Sequence, residues 1–150
     1  MKQQPCSENG YLHEHADLLI SSYQRLTGKK LIDNHGSNVA KALFEADFVV
    51  VSHGIESDPI FNYGNKSALT AFELNWLDFI ALPSRKSAKP MDRHERQDLL
   101  SRVTQFGFID DYRGLRISST GRTFWIENAT VWNLIDNNGA FRGQAAMFKP

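Results

Sequence analysis

The stretch TFWIENATVWNLI, residues 123–135, puts apolar side chains on both faces of a long strand. Its β-branched and aromatic residues favour pleated backbone, and the polar turn Ser119-Thr120-Gly121-Arg122 leads into it. Under strict alternation Phe124, Ile126, Trp132 and Leu134 point one way, and Trp125, Val131 and Ile135 point the other. A sheet wet on one side would keep one of those rows polar. Both faces of this sheet must therefore be covered.

The flanking segments supply the partners. Tyr112–Ser118 is strand-like, and Asn137-Asn138-Gly139 turns the chain into a final strand, Phe141–Phe148. Near the front, DFVVVSH (47–53) is too short and too β-branched for a buried helix; Gly54 to Pro59 turns it into the answering strand PIFNY. Asn62 and Tyr63, as neighbours on a strand, should face opposite sides, with Asn62 the better candidate to see a pocket. Two strands from the front and three from the back make one five-stranded antiparallel sheet, and the helices between them pack on one face, an α+β domain.

Those helices carry recognisable starts. Ser37 can cap a short helix that turns Val39, Leu43 and Ala46 inward, and Asn65 precedes Ala68, Leu69 and Phe72 at helical spacing. Asn75 with Asp78 caps a turn holding Trp76, Phe79 and Ile80, and LPSRKSAKP (82–90) is an irregular loop. Asp92 with Glu95 caps a helix over 93–106 whose Leu99, Val103 and Phe106 share a face before Gly107. In front of all this, Leu12, Ala16, Leu19, Tyr23 and Leu26 define an amphipathic helix over 11–27 that stops at Gly28. It is the natural cover for the second face of the sheet, in cis or from a partner chain. The expected organisation is a flexible start (1–10), a flanking helix and linker (11–36), and the domain proper (37–150).

Charge and cysteine content exclude several function classes. Lys+Arg and Asp+Glu balance at 17 each, so no global field draws the chain to nucleic acid or an anionic membrane. Residues 85–102 are the most basic window, and mixed charges of that kind suit a solvated helix face. The single cysteine, Cys6, rules out an internal disulfide or a multi-cysteine metal site. With no apolar run of membrane-spanning length and no secretory h-region, a cytoplasmic protein is expected.

The element order and several blocks resemble PAS domains. YGNKSALTAFELNWLDFIALP is similar to the PAS pattern of strand, asparagine-opened helix and short capped helix; WIENATVWNLIDNNGAFRG is similar to the PAS end. More specifically, FVVVSHG, DPIFNYGNKSAL, LPSRKSA, GFIDDYRGLRISSTGR and IENATVWNLID together resemble the MEKHLA-domain family over roughly residues 11–150. That family occurs as stand-alone bacterial proteins and at the C-terminus of plant class III homeodomain-leucine zipper proteins. The hexapeptide that names it is absent from this sequence. The resemblance implies a PAS-like sensory or regulatory fold, with a pocket between sheet and helices whose state passes through flanking helices and dimer contacts.

Against that expectation, candidate chemistry can be placed on residues. Cysteinyl-flavin photochemistry needs a helix cysteine in an Asn-Cys-Arg-Phe setting, and Cys6 lies in the N-terminal segment. Haem needs an axial ligand, for which His53 at the end of the first strand is the candidate, against a hydrogen-bonded hairpin-end histidine. Non-covalent flavin is the other cofactor to consider, and no motif selects either. His13, His15 and His94 suit solvated helix faces, and no His/Asp/Glu spacing suits a metal. No nucleophile elbow or phosphate-cradling loop is present, so an enzyme, using His53 or Asp110-Asp111, is the least favoured class. What remains is a pocket: Trp76, Phe79, Tyr112 and Trp132 as aromatic walls, or simply as core, joined by Asn62, Arg85 and Arg116. Arg85, with Ser84 and Ser87, can close over an anionic or polar ligand, or pair with Asp92 or Glu95 and pin its loop. The leading expectation is a ligand-binding regulatory domain, homodimeric or bound to a regulatory protein through the N-terminal helix and the outer sheet face. The alternative is a ligand-free interaction module with a filled core.

Overall fold

Asparagine side chains set three of the helix starts. The computed structural model describes residues 3–33, 36, 38–88 and 93–150. Helix α1 (His13–Thr27) closes at Gly28, whose left-handed φ of 76° suits glycine. Asn38 caps α2 (Val39–Phe44) by accepting from the Lys41 N–H; Ser37, the expected cap, lies outside the described residues. Asn65 caps α3 (Lys66–Phe72) and Asn75 caps α4 (Trp76–Phe79) through the Asp78 N–H. Helix α5 (Arg93–Phe106) follows a short 3-10 turn at Ser84–Ser87; its expected cap, Asp92, is also outside the described residues. Leu99 and Val103 are buried as expected, but the last turn of α5 leaves Phe106 66% exposed. In α2 it is Ala40, Leu43 and Phe44 that are buried, while Val39 and Ala46 are only half-buried.

The strands are β1 (Val49–His53), β2 (Phe61–Gly64), β3 (Phe108–Ile117), β4 (Thr123–Ile135) and β5 (Phe141–Phe148). They form one antiparallel sheet in the order β2-β1-β5-β4-β3. Helices α3, α4 and α5 lie on the inner face, so the front pair of strands and the back three meet through β1 and β5. Helix α1 lies across the outer face in cis, packing Ala16, Leu19 and Tyr23 against Val50, Trp132, Leu134 and Ala145. Tyr23 meets Trp132 edge-on, with centroids 5.0 Å apart. Ser22 adds direction: its hydroxyl donates to the Ile135 carbonyl and accepts from the Ile135 N–H. Before α1, Pro5 is fully buried and residues 7–9 form a 3-10 turn.

Four register shifts interrupt the pairing of the described strands, one of them in β3 between Ile109 and Tyr112, and those in β4, β2 and β5 decide which side chains reach which face. In β4 the pairing passes from Gly114↔Ile126 to Tyr112↔Ala129, so β4 carries an extra residue, and Asn128 sits there at φ 52°. The parity of the strand reverses at that point. Phe124 and Ile126 face inward together with Ala129 and Val131, whereas Trp132 and Leu134 face α1. Uninterrupted alternation, which grouped Trp132 with Ile126, is therefore wrong beyond residue 128. In β2, Phe61 pairs with His53 and Tyr63 with Ser52, leaving Asn62 as the extra residue. Asn62 bonds to the Ser52 hydroxyl and Tyr63 stacks on His15, so these neighbours share the outer side instead of straddling the sheet. In β5, Arg142 is extra, and Gly143 at φ 134° lies so close to β1 that a Cβ would collide with the His53 carbonyl.

Candidate functional site

The inner face encloses a cavity of about 60 Å³ between β1, β3, β4, β5 and α5. Its lining is mixed. Val51, Phe61, Phe72, Ile126 and Phe148 give it apolar lining, while His53, Arg96, Tyr112, Arg116 and Gln144 bring polar groups to it.

Each polar group is fixed by a neighbour. Arg116, 7% exposed, donates from Nη1 to the Leu115 carbonyl and from Nη2 to the Tyr112 hydroxyl at 2.8 Å. Arg96, 8% exposed, reaches down from α5 and donates to Ser84 Oγ, while Ser87 Oγ donates to the Ser84 carbonyl at 2.7 Å. Gln144 Nε2 bonds to the Leu100 carbonyl and to Asn133 Oδ1, and Asn133 Nδ2 donates to the Val103 carbonyl, so α5 is latched to the sheet beside the cavity. His53 Nδ1 lies 3.0 Å from the Gly54 carbonyl oxygen. A carbonyl can only accept, so Nδ1 carries the hydrogen. Its Nε2 is buried and has no hydrogen-bond partner among the described residues.

The electrostatics of this pole are unusual. Burial, then the nearby positive charge of Arg116, lowers Arg96 to about 10. Burial likewise lowers His53, only partly offset by its bond to Gly54, and Arg96 pushes in the same downward direction. Among the described residues no carboxylate forms an ion pair with either Arg96 or Arg116. Asp58, paired with Arg85, acts on Arg96 only as a minor, more distant charge, and buried cations without a paired anion are costly, so this pole is a place where negative charge is stabilised.

The residues expected at the site divide into three groups. Tyr112, Arg116 and His53 line the cavity. Phe79 and Trp76 are core: Phe79 stacks on Phe61 at 4.4 Å and lies over Gly64, and Trp76 meets Tyr63 edge-on. Trp132 and Asn62 are on the outer side, for the parity reasons above, and Arg85 pairs with Asp58 at 3.0 Å rather than with Glu95, while Asp92, its other expected partner, lies outside the described residues. His15 is not a solvated histidine: its Nε2 lies 2.9 Å from Ser52 Oγ and its ring stacks on Tyr63. Arg96 and Gln144 were not anticipated. Arg96 sits in the basic window, but its position three before Leu99 and seven before Val103 puts it on the buried stripe of α5, which is the signal that finds it.

A cofactor of the PAS type fits poorly. Sites for drug-sized ligands run to roughly 300–1,000 Å³, several times this cavity. Phe61, Phe72, Phe79 and Phe124 fill the space beneath α3 and α4 with mutual ring contacts. Cys6 lies outside the cavity lining, near the surface beside Trp76. Neither haem nor flavin can enter without displacing this aromatic cluster.

The fold defines a PAS-like domain. A PAS domain from Colwellia psychrerythraea superposes with a TM-score of 0.65 at 19% identity, over 73% of this chain and 91% of that one. A light-oxygen-voltage domain solved in work on a flavin analogue gives 0.61 at 18% identity, over 75% and 83%. The family is narrower than the fold: the MEKHLA domain model matches residues 13–150, and the chain belongs to that family. Relatives include the homeobox-leucine zipper proteins ATHB-9 of Arabidopsis thaliana, 26% identical over 85% of this chain, and HOX29 of Oryza sativa subsp. indica, 26% identical over 81%. The chain spans only 14% and 15% of those two plant proteins. Among the described residues no helix is long and apolar enough to cross a membrane.

Proposed function

We propose that the protein is a PAS-like sensory or regulatory domain that binds a small ligand in the inner-face cavity and reports its occupancy through α1. The observation that carries this reading is the pairing of the cavity with β1. His53 faces the cavity, and the preceding residue, Ser52, bonds to His15 of α1 on the opposite face. A ligand that shifts β1 at His53 therefore changes the packing of α1 directly, a population shift between two helix placements. No catalytic step is assigned: Asp110 and Asp111 are exposed on β3, away from the cavity lining. The test is a melting-temperature screen of the full chain against small metabolites, followed by hydrogen exchange on α1. A stabilising ligand that changes exchange in α1 is expected; stabilisation with α1 untouched defeats the reporting role.

A second reading is a protein-interaction module, favoured by Trp125. This residue is on the outer face beyond the reach of α1, 54% exposed, with Arg113 stacked 3.9 Å above its ring. Large aromatics and arginine are the residues that interfaces favour. A homodimer or a regulatory partner would meet the chain there, and Trp125→Ala would then lower the measured mass in solution without lowering the melting temperature.

A further inference from the structure

We infer that the cavity recognises a short 2-hydroxycarboxylate of two or three carbons, its carboxylate held by Arg96 and Arg116 and its hydroxyl by His53. This rests on the sensory reading above and names the ligand class for that site. Size sets the first limit. At roughly 10–15 Å³ of such space per water, a cavity of about 60 Å³ holds about four to six water-sized atoms. Glycolate and lactate fall in that range.

Charge sets the second. Each guanidinium has five N–H donors, and the bonds that Arg96 and Arg116 make to Ser84, Leu115 and Tyr112 leave both with donors to spare among the described residues. Two neighbouring buried cations with neutral partners are satisfied by one shared carboxylate, for which the guanidinium fork is shaped. The apolar part of the lining, which includes Val51, Phe72 and Ile126, suits the carbon end of such a ligand and offers nothing to the remaining oxygens of a phosphate. His53 sets the third. Because Nδ1 donates to the Gly54 carbonyl, the neutral ring presents a bare Nε2 acceptor, and that atom has no partner among the described residues. An acceptor repels a carboxylate oxygen and receives a hydroxyl hydrogen, which selects a hydroxy acid over the parent acid.

The test is calorimetric titration of the full chain, at constant ionic strength, with sodium glycolate, sodium lactate, sodium acetate, inorganic phosphate and 1,2-propanediol. Glycolate or lactate should bind saturably and acetate at least about tenfold more weakly, one charge-assisted or hydroxyl bond being worth about a factor of ten. Arg96→Met and Arg116→Met should each weaken glycolate at least about tenfold while leaving the unliganded protein no less stable, because a buried charge is removed. His53→Phe should bring glycolate and acetate to equal affinity. Acetate binding as well as glycolate overturns the assignment of His53, and phosphate binding with no carboxylate bound overturns the ligand class. Propanediol binding without any anion overturns the anion site but leaves the sensory reading standing; stabilisation by none of the five probes, nor by any compound of the metabolite screen, removes both. Should either methionine variant fail to fold, the Arg Nε–H resonances of the wild-type protein decide: those of Arg96 and Arg116 should shift on adding glycolate, and no shift overturns the site.

Discussion

The two faces of the sheet are built to different ends. Beneath α1, the outer face is closed: Trp132, Tyr23, Leu19 and Leu134 are fully or nearly buried and interlock around Val50. The inner face is equally apolar near α3 and α4, yet beside α5 it gathers two arginines, a histidine and a glutamine around a void. A chain optimised for stability alone would fill that void and replace those charges. On the function proposed above, the outer face is scaffold and the inner face is where stability is given up for binding.

Substitutions can break this contrast, beginning with the residue that serves both faces. Gly143→Ala forces a Cβ onto the His53 carbonyl at a φ of 134°, so β5 and β1 must part. The expected loss is about 4 kcal/mol or more, read as loss of the cooperative thermal transition. Trp132→Ala empties the scaffold side alone and should cost about 3–4 kcal/mol in chemical denaturation, with ligand affinity of the inner cavity unchanged. If Trp132→Ala abolishes binding, the two faces are not separable. Asn65→Ala tests the joint between layers. Its Oδ1 accepts from the Ala68 and Val50 N–H groups, and its Nδ2 donates to the Leu43 and Phe48 carbonyls. A simple cap is worth about 1 kcal/mol; this fully buried, four-bonded side chain should cost about 2–3 kcal/mol in the same denaturation experiment.

The smallest effect concerns pH. His53 is lowered by burial below its ordinary 6.5, so the fold holds it neutral while the unfolded chain takes up a proton. Stability from this residue is complete above about 6.5 and is lost as pH falls through the lowered value. Glu73 and Asp136 are also lowered, by hydroxyl bonds from Ser118 and Thr120 and by the Ala140 N–H with Arg142 respectively, but they act below their ordinary 4.5 and 3.8. A shallower fall in melting temperature as pH drops below about 6.5 is therefore expected for His53→Gln. Equal slopes for the two proteins would mean that His53 is not held neutral.

Much of the architecture was legible because period and caps are local. The strand-rich ends, the helix stops at Gly28 and Gly107, and the asparagine starts at 65 and 75 follow from residue chemistry within a few positions. The candidate site was legible only in part, because side-chain direction accumulates along a strand. One extra residue at Asn128 moves Trp132 from the expected pocket to the scaffold, and one at Asn62 moves that side chain to the outer face. Arg85 and Arg96 exchanged roles for a related reason. Both lie in one basic window, but only Arg96 shares the stripe of Leu99 and Val103, so helix phase rather than charge distinguishes a surface arginine from a buried one.

The bulge at Asn128 also governs how relatives of this chain should be compared. Because it inverts the strand, a one-residue gap placed on the wrong side of position 128 exchanges lists of inward and outward side chains for every residue in between. An alignment can then score well and still match a cavity wall in one protein with a helix-docking surface in another. Deleting Asn128 would carry out the same exchange physically, turning the second half of β4 inside out, with Trp132 driven into the cavity and Val131 left facing α1. A single left-handed residue is thus the partition between the two compartments of this domain.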